Sequence, residues 1–164
     1  MLVPAVLLAL LAGTAGGLVR AGIVLPASGA WLGQAVLGHA FLMICAFMGT
    51  VIGIERAVAV KHPLAFIGPL ASGLAGVATI GGAAAVAAWL GVAAAVAFVG
   101  VNVVVVRRQR AAHTVLLLVG AIAWAVGSVS HALDAAQGAA VPWWFAFLVL
   151  TIACLLYTSD AADE

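Results

Sequence analysis

"GHAFLMICAFMGTVIGIERAVAV", residues 38–60, decides the fold class. Between His39 and Glu55 it carries no charged side chain, and an α-helix of that length reaches across the hydrocarbon layer of a bilayer at about 1.5 Å per residue. Polar and apolar residues do not alternate in it, so it does not read as a strand of a β-barrel. Similar runs recur along all 164 residues, which are 67% hydrophobic and 7% charged. The fold expected is all-α, a polytopic transmembrane helical bundle in which every backbone polar group is satisfied within its own helix.

Six spans are expected, at about 4–25, 34–57, 64–87, 91–107, 114–133 and 142–153. The first ends before "PASG" and lacks the positive leader of a signal peptide, so it counts as a span. Residues 64–106 are too long for one crossing. Gly81-Gly82 and Trp89-Leu90-Gly91 both offer a turn, and the second is preferred because Trp favours the membrane interface. Residues 1–153 form one domain. The tail "CLLYTSDAADE", 154–164, turns polar and acidic without loop chemistry, and back-translated it resembles a transposase-type sequencing adapter. It is therefore expected to be non-native, with the sixth span truncated.

Without that tail, six Lys/Arg stand against Glu55 and Asp134, a net charge of +4. Arg56 and Lys61 close the second span, and Arg107, Arg108 and Arg110 close the fourth. By the positive-inside rule both ends are cytoplasmic, and so is the N-terminus of a multi-pass protein of the prokaryotic inner membrane. Trp31, Trp89, Trp143 and Trp144 fall at the opposite face. The lipid bilayer is the expected partner, with other membrane subunits or further copies of the chain beside it. The cations sit at helix ends and form no nucleic-acid patch. Cys45 lies within an apolar helix and implies no disulfide. "GTAGG" (Gly13, Gly17) and "GTVIG" (Gly49, Gly53) are small-xxx-small packing patterns. No phosphate loop, metalloprotease motif, Ser/His/Asp order or CxxC is present.

The four histidines sort into two layers, His39 and His131 in the outer half and His62 and His113 at the cytoplasmic ends. Two histidines on facing helices are what a haem b needs for its axial ligands, so His39 and His131 are the candidate metal ligands, with His113 behind them. Arg20, near the outer end of the first span, is placed to meet a haem propionate or Asp134. His39 and Met43 lie one turn apart on one face and suit a soft ion such as Cu(I), whereas Cys45 is about 240° round from His39. Each has a plainer role: an interhelical hydrogen bond for His39, headgroup contact for Arg20, interfacial solvation for His62 and a juxtamembrane cation for His113. Glu55-Arg56 reads as an interfacial pair, with proton entry as the alternative for Glu55. Asn102 is expected to bond a neighbouring helix.

"HAFLMICAF" resembles the His-x-x-x-Met start of the second helix of haem-copper oxidase subunit I, where the histidine ligates the low-spin haem. It is also similar to the His-containing second helix of the NnrS family, haem- and copper-containing bacterial membrane proteins linked to the nitric-oxide response. "GTVIGIERAVAV", "RRQRAAH" and "WWFAFLVLTIA" resemble an uncharacterised family of prokaryotic membrane proteins over most of residues 1–153. The resemblance implies haem, and possible copper, at His39, with a role in respiratory electron transfer or nitric-oxide handling. The alternatives are a transporter or channel-like bundle in which His39, Arg20 and Asp134 line a polar path, and a structural or assembly subunit. Nothing in the residues decides whether the protein is an enzyme.

Overall fold

The computed structural model describes residues 2–26, 29–133 and 138–160, with 155–160 described by backbone alone. The helices run in the order α1 (Leu2–Arg20), α2 (Ala30–Leu37), a π-helical stretch (Phe41–Met48) and α3 (Gly49–Val60). A 3-10 turn (Pro63–Phe66) then leads into α4 (Ile67–Ile80), followed by α5 (Ala84–Arg108), α6 (Ala112–Ala132) and α7 (Val141–Asp160). The described residues contain no strand. Five stretches are long and apolar enough to cross a membrane: Leu2–Arg20, Phe41–Val60, Pro63–Ile80, Ala84–Arg108 and Ala112–Ala132. α7 is apolar from Val141 to Cys154 and packs along α6.

The turn between the third and fourth long helices falls at Gly81-Gly82, not at the expected Trp89-Leu90-Gly91. A reversal this tight needs a left-handed residue, and Gly82 supplies it at φ 79°. The Ala83 N–H then bonds the Ala78 carbonyl and the Gly82 N–H bonds Thr79, a Schellman closure. Gly91 serves close packing instead, because a Cβ there would lie 3.0 Å from the Phe41 ring. α1 ends earlier than expected through the same chemistry. Gly22 sits at φ 88°, and the Ile23 and Gly22 N–H groups return to Leu18 and Val19. Arg20 thus occupies the last turn of α1, not a position well inside a longer helix.

Two apolar cores form, one on each side of the continuous segment made by α2, the π stretch and α3. The smaller core joins Ala9 and Ala12 of α1 to Ala35, Leu42 and Ala46. The larger joins Phe41, Cys45 and Ile52 to α4, α5, α6 and α7 through Phe98, Trp124, Trp144 and Phe147. Small residues set the spacing. The α1 backbone at Gly16 lies directly against the Ala35 carbonyl, and Gly49 takes the edge of the Trp124 ring, 2.7 Å from where a Cβ would stand. Trp124 stacks on Phe147 with centroids 4.8 Å apart and donates its indole N–H to the Cys45 sulfur at 3.3 Å. Ser72 of α4 donates to the Cys45 carbonyl at 2.5 Å, which ties the π stretch to its other neighbour.

Candidate functional site

His39 faces α1. Its Nδ1 lies 2.8 Å from the Gly13 carbonyl oxygen, and because a carbonyl only accepts, Nδ1 carries the proton. The ring rests on Gly17, where a Cβ would come within 2.6 Å of Cε1, and Met43 Sδ rests on Gly13 in the same way. His39 and Met43 therefore do share one face, as their spacing indicates. With Nδ1 engaged, His39 Nε2 and Met43 Sδ are its remaining soft donors, and no group of three metal-ligating His, Cys, Asp or Glu side chains exists among the described residues. Arg20 is exposed and donates to the Val36 carbonyl at 3.4 Å, bracing the same α1–α2 contact. Asp134, its expected partner, lies outside the described residues.

His131 is exposed, at the edge of the other core. Its ring stacks on Phe41, with centroids 5.3 Å apart, and meets Trp144 edge-on at 5.2 Å. α6 meets the second long segment through side chains, Trp124 against Cys45 and Gly49 and His131 against Phe41, so His131 reaches the depth of Phe41, two residues from His39. Two residues along a helix is about half a turn, however, so Phe41 and His39 project to opposite sides. The structure brings His131 to Phe41 and His39 to α1. The haem expectation rests on the resemblance at His39.

At the opposite end of the bundle the cations converge. His62 is exposed and caps the 3-10 turn, its Nδ1 accepting from the Leu64 N–H at 3.3 Å. His113 stands in the first turn of α6, which Thr114 fixes. The Thr114 hydroxyl accepts from the Ala111 N–H at 3.2 Å and reaches the Gln109 and Ala111 carbonyls at 2.8 Å. Arg108, at the end of α5, donates to the Val60 carbonyl at 3.3 Å, where α3 ends and its dipole favours a cation. Between them lies a cavity of about 350 Å³ lined at its polar side by Glu55, Arg56, Arg108, Gln109, His113 and Thr114.

Arg56 is the unusual member of this group. Its side chain is only 14% exposed, and its Nε is buried with no hydrogen-bond partner among the described residues. The neighbouring Glu55 carboxylate approaches Nη2 to 3.9 Å, but Glu55 is half exposed. A guanidinium largely removed from water with an N–H unsatisfied is costly unless something negative meets it. Two guanidiniums and an imidazole face one carboxylate across the cavity, so the arrangement can hold an anion.

The sequence places Arg56, Arg108 and His113 at one end but gives no sign that they share a cavity. Arg56 is covered where α3 meets residues of α5 and α6 around the same cavity. Asn102, also fully buried, departs from expectation. It donates to Phe98 of its own helix at 2.9 Å, and its Oδ1 has no partner among the described residues.

Fold and site together define an all-helical bundle with membrane-length apolar helices and a cation-lined cavity at one end. The chain belongs to the family described as a domain of unknown function, DUF8744, which it matches over residues 1–154. No curated protein and no solved structure matches it.

Proposed function

We propose that the protein is a membrane-embedded bundle that binds an anion in the cavity between α3, α5 and α6, which puts it among binding and transport proteins. The observation that carries this reading is the Arg56 guanidinium, mostly buried, with a buried Nε–H that no group of the described residues accepts. Lipid embedding is supported by the five long apolar helices and by the large apolar side chains on the outside of the bundle, such as Leu11 and Phe145. The Lys/Arg bias sets the cavity end in the cytoplasm, and with it the N-terminus of a protein of the prokaryotic inner membrane.

The reading is tested with purified full-length protein in detergent, titrated calorimetrically with inorganic pyrophosphate at constant ionic strength. Saturable binding is expected, weakened about tenfold or more in Arg56→Gln, because a hydrogen bond to a charged group contributes about 1.5–3 kcal/mol. No binding by the unmodified protein, or equal binding by the variant, removes the proposal.

A further inference from the structure

We infer that the anion is the phosphate of an anionic glycerophospholipid, with one acyl chain lying in a groove between α4 and α5. This inference rests on the anion-binding reading and names its ligand. A second cavity, of about 430 Å³, adjoins the first. It is apolar and runs along the outside of the bundle over Leu64, Ile67, Ala97, Gly100, Val101 and Val104. Val60 and Arg108 line both cavities, so cation-lined and apolar spaces meet at one guanidinium.

That junction is what a lipid requires. A phosphate diester is negative, strongly hydrogen-bonding and attached to chains that must leave the polar site on its lipid side. Arg108 reaches the Val60 carbonyl through Nη1, leaving its other donors to meet a phosphate oxygen, while Arg56 and His113 line the headgroup space. The groove floor is open at Gly100, where a Cβ would find no atom within 4 Å. Leu64 and Ile67 on its rim are 65% and 52% exposed. A free phosphate would use the first cavity and gain nothing from the second. A lipid uses both, and basic pockets between helices near a membrane face are suited to anionic headgroups.

The experiment compares two ligands on one set of proteins. Full-length protein is reconstituted into phosphatidylcholine nanodiscs doped with phosphatidylglycerol, and bound lipid is read by native mass spectrometry. Inorganic pyrophosphate is titrated separately against detergent-solubilised protein. Phosphatidylglycerol is expected to be retained in preference to phosphatidylcholine. Arg108→Gln and Arg56→Gln should each lower that preference about fivefold or more, and Arg110→Gln, an exposed cation outside both cavities, should leave it unchanged.

Gly100→Phe separates the sources of phosphate. Its ring has room to lie in the groove, so it should reduce phosphatidylglycerol retention while leaving pyrophosphate binding intact. If pyrophosphate binds but phosphatidylglycerol is not preferred, or Gly100→Phe changes neither, the lipid inference is wrong and the anion site stands. If neither ligand binds, both readings fall. Equal thermal stability of the variants and the unmodified protein is required, and Arg108→Lys serves as a second probe by keeping charge while losing the guanidinium fork.

Discussion

Gly16→Ala tests the contact that places His39. A Cβ at Gly16 would lie 2.5 Å from the Ala35 carbonyl carbon and 3.0 Å from the Val36 nitrogen, with the Ala35 oxygen closer still. All three are backbone atoms, so no flexible side chain can yield. Carbon atoms settle at about 3.5–4.0 Å, so α1 and α2 must part by about 1 Å. That displacement takes the His39 Nδ1 to Gly13 oxygen distance from 2.8 Å beyond hydrogen-bonding range and loosens the Ala9–Ala12–Ala35 core.

The terms can be weighed. Overpacking of this kind costs about 1–3 kcal/mol, and an interhelical hydrogen bond in a membrane protein contributes about 0.6 kcal/mol, at most about 1.7. Against these, alanine is favoured over glycine in a helix by about 0.5–1 kcal/mol. The net expectation is a loss of about 1–3 kcal/mol. Gly33→Ala is the matched control: it sits in α2 with no atom within 4 Å of its Cβ, so only the helix-propensity gain applies. Unfolding in mixed detergent, followed by circular dichroism as sodium dodecyl sulfate is added, should rank Gly33→Ala at or above the unmodified protein and Gly16→Ala clearly below it. Equal midpoints for the two variants would refute the close crossing and the placement of His39 with it.

Three further outcomes are expected. Asn102→Val, at a fully buried position, should change stability by less than about 1 kcal/mol, because the amide bonds only its own helix and removing an unpaired oxygen offsets the loss; Ser72→Ala, which cuts an interhelical bond, should cost more in the same unfolding assay. Any haem band in the reduced-minus-oxidised spectrum of the purified protein should not depend on both outer histidines together, and a band abolished alike by His39→Ala and His131→Ala would show them ligating one iron.

Composition and run length make the helices legible, and the scatter of arginines makes the basic end legible, because both depend on residue type alone. Where a helix stops depends on one left-handed residue. The glycine-rich turns at Gly22 and Gly82 carry that signal, but Pro26 and Trp89 are louder in the sequence and drew the expected boundaries outward or downstream. The cation cavity is less legible still. Nothing in "ERAVAVKHP" or "RRQRAAH" says that Arg56 is covered while Arg110 is exposed, since that follows from how α3, α5 and α6 converge.

The face taken by His39 has a more specific cause. Sequence reasoning turns each residue through about 100°, and on that count the Gly49 side and the His39 side of the second segment keep a fixed angle. The chain from Phe41 to Met48 is π-helical, with the Gly49 N–H returning to the Ile44 carbonyl, five residues back. Such a ladder winds more slowly than an α-helix, and over the stretch the lag reaches roughly a third of a turn. Gly49 still meets α6 through Trp124, and Gly53 meets Pro69 of α4. The lag turns His39, above the π stretch, relative to Gly49 below it, so that His39 looks toward Gly13, about half a turn from Phe41, which looks toward His131. Depth survives such a shift, because it depends on rise along the axis. Facing does not survive it, and a ligand pair is a statement about facing.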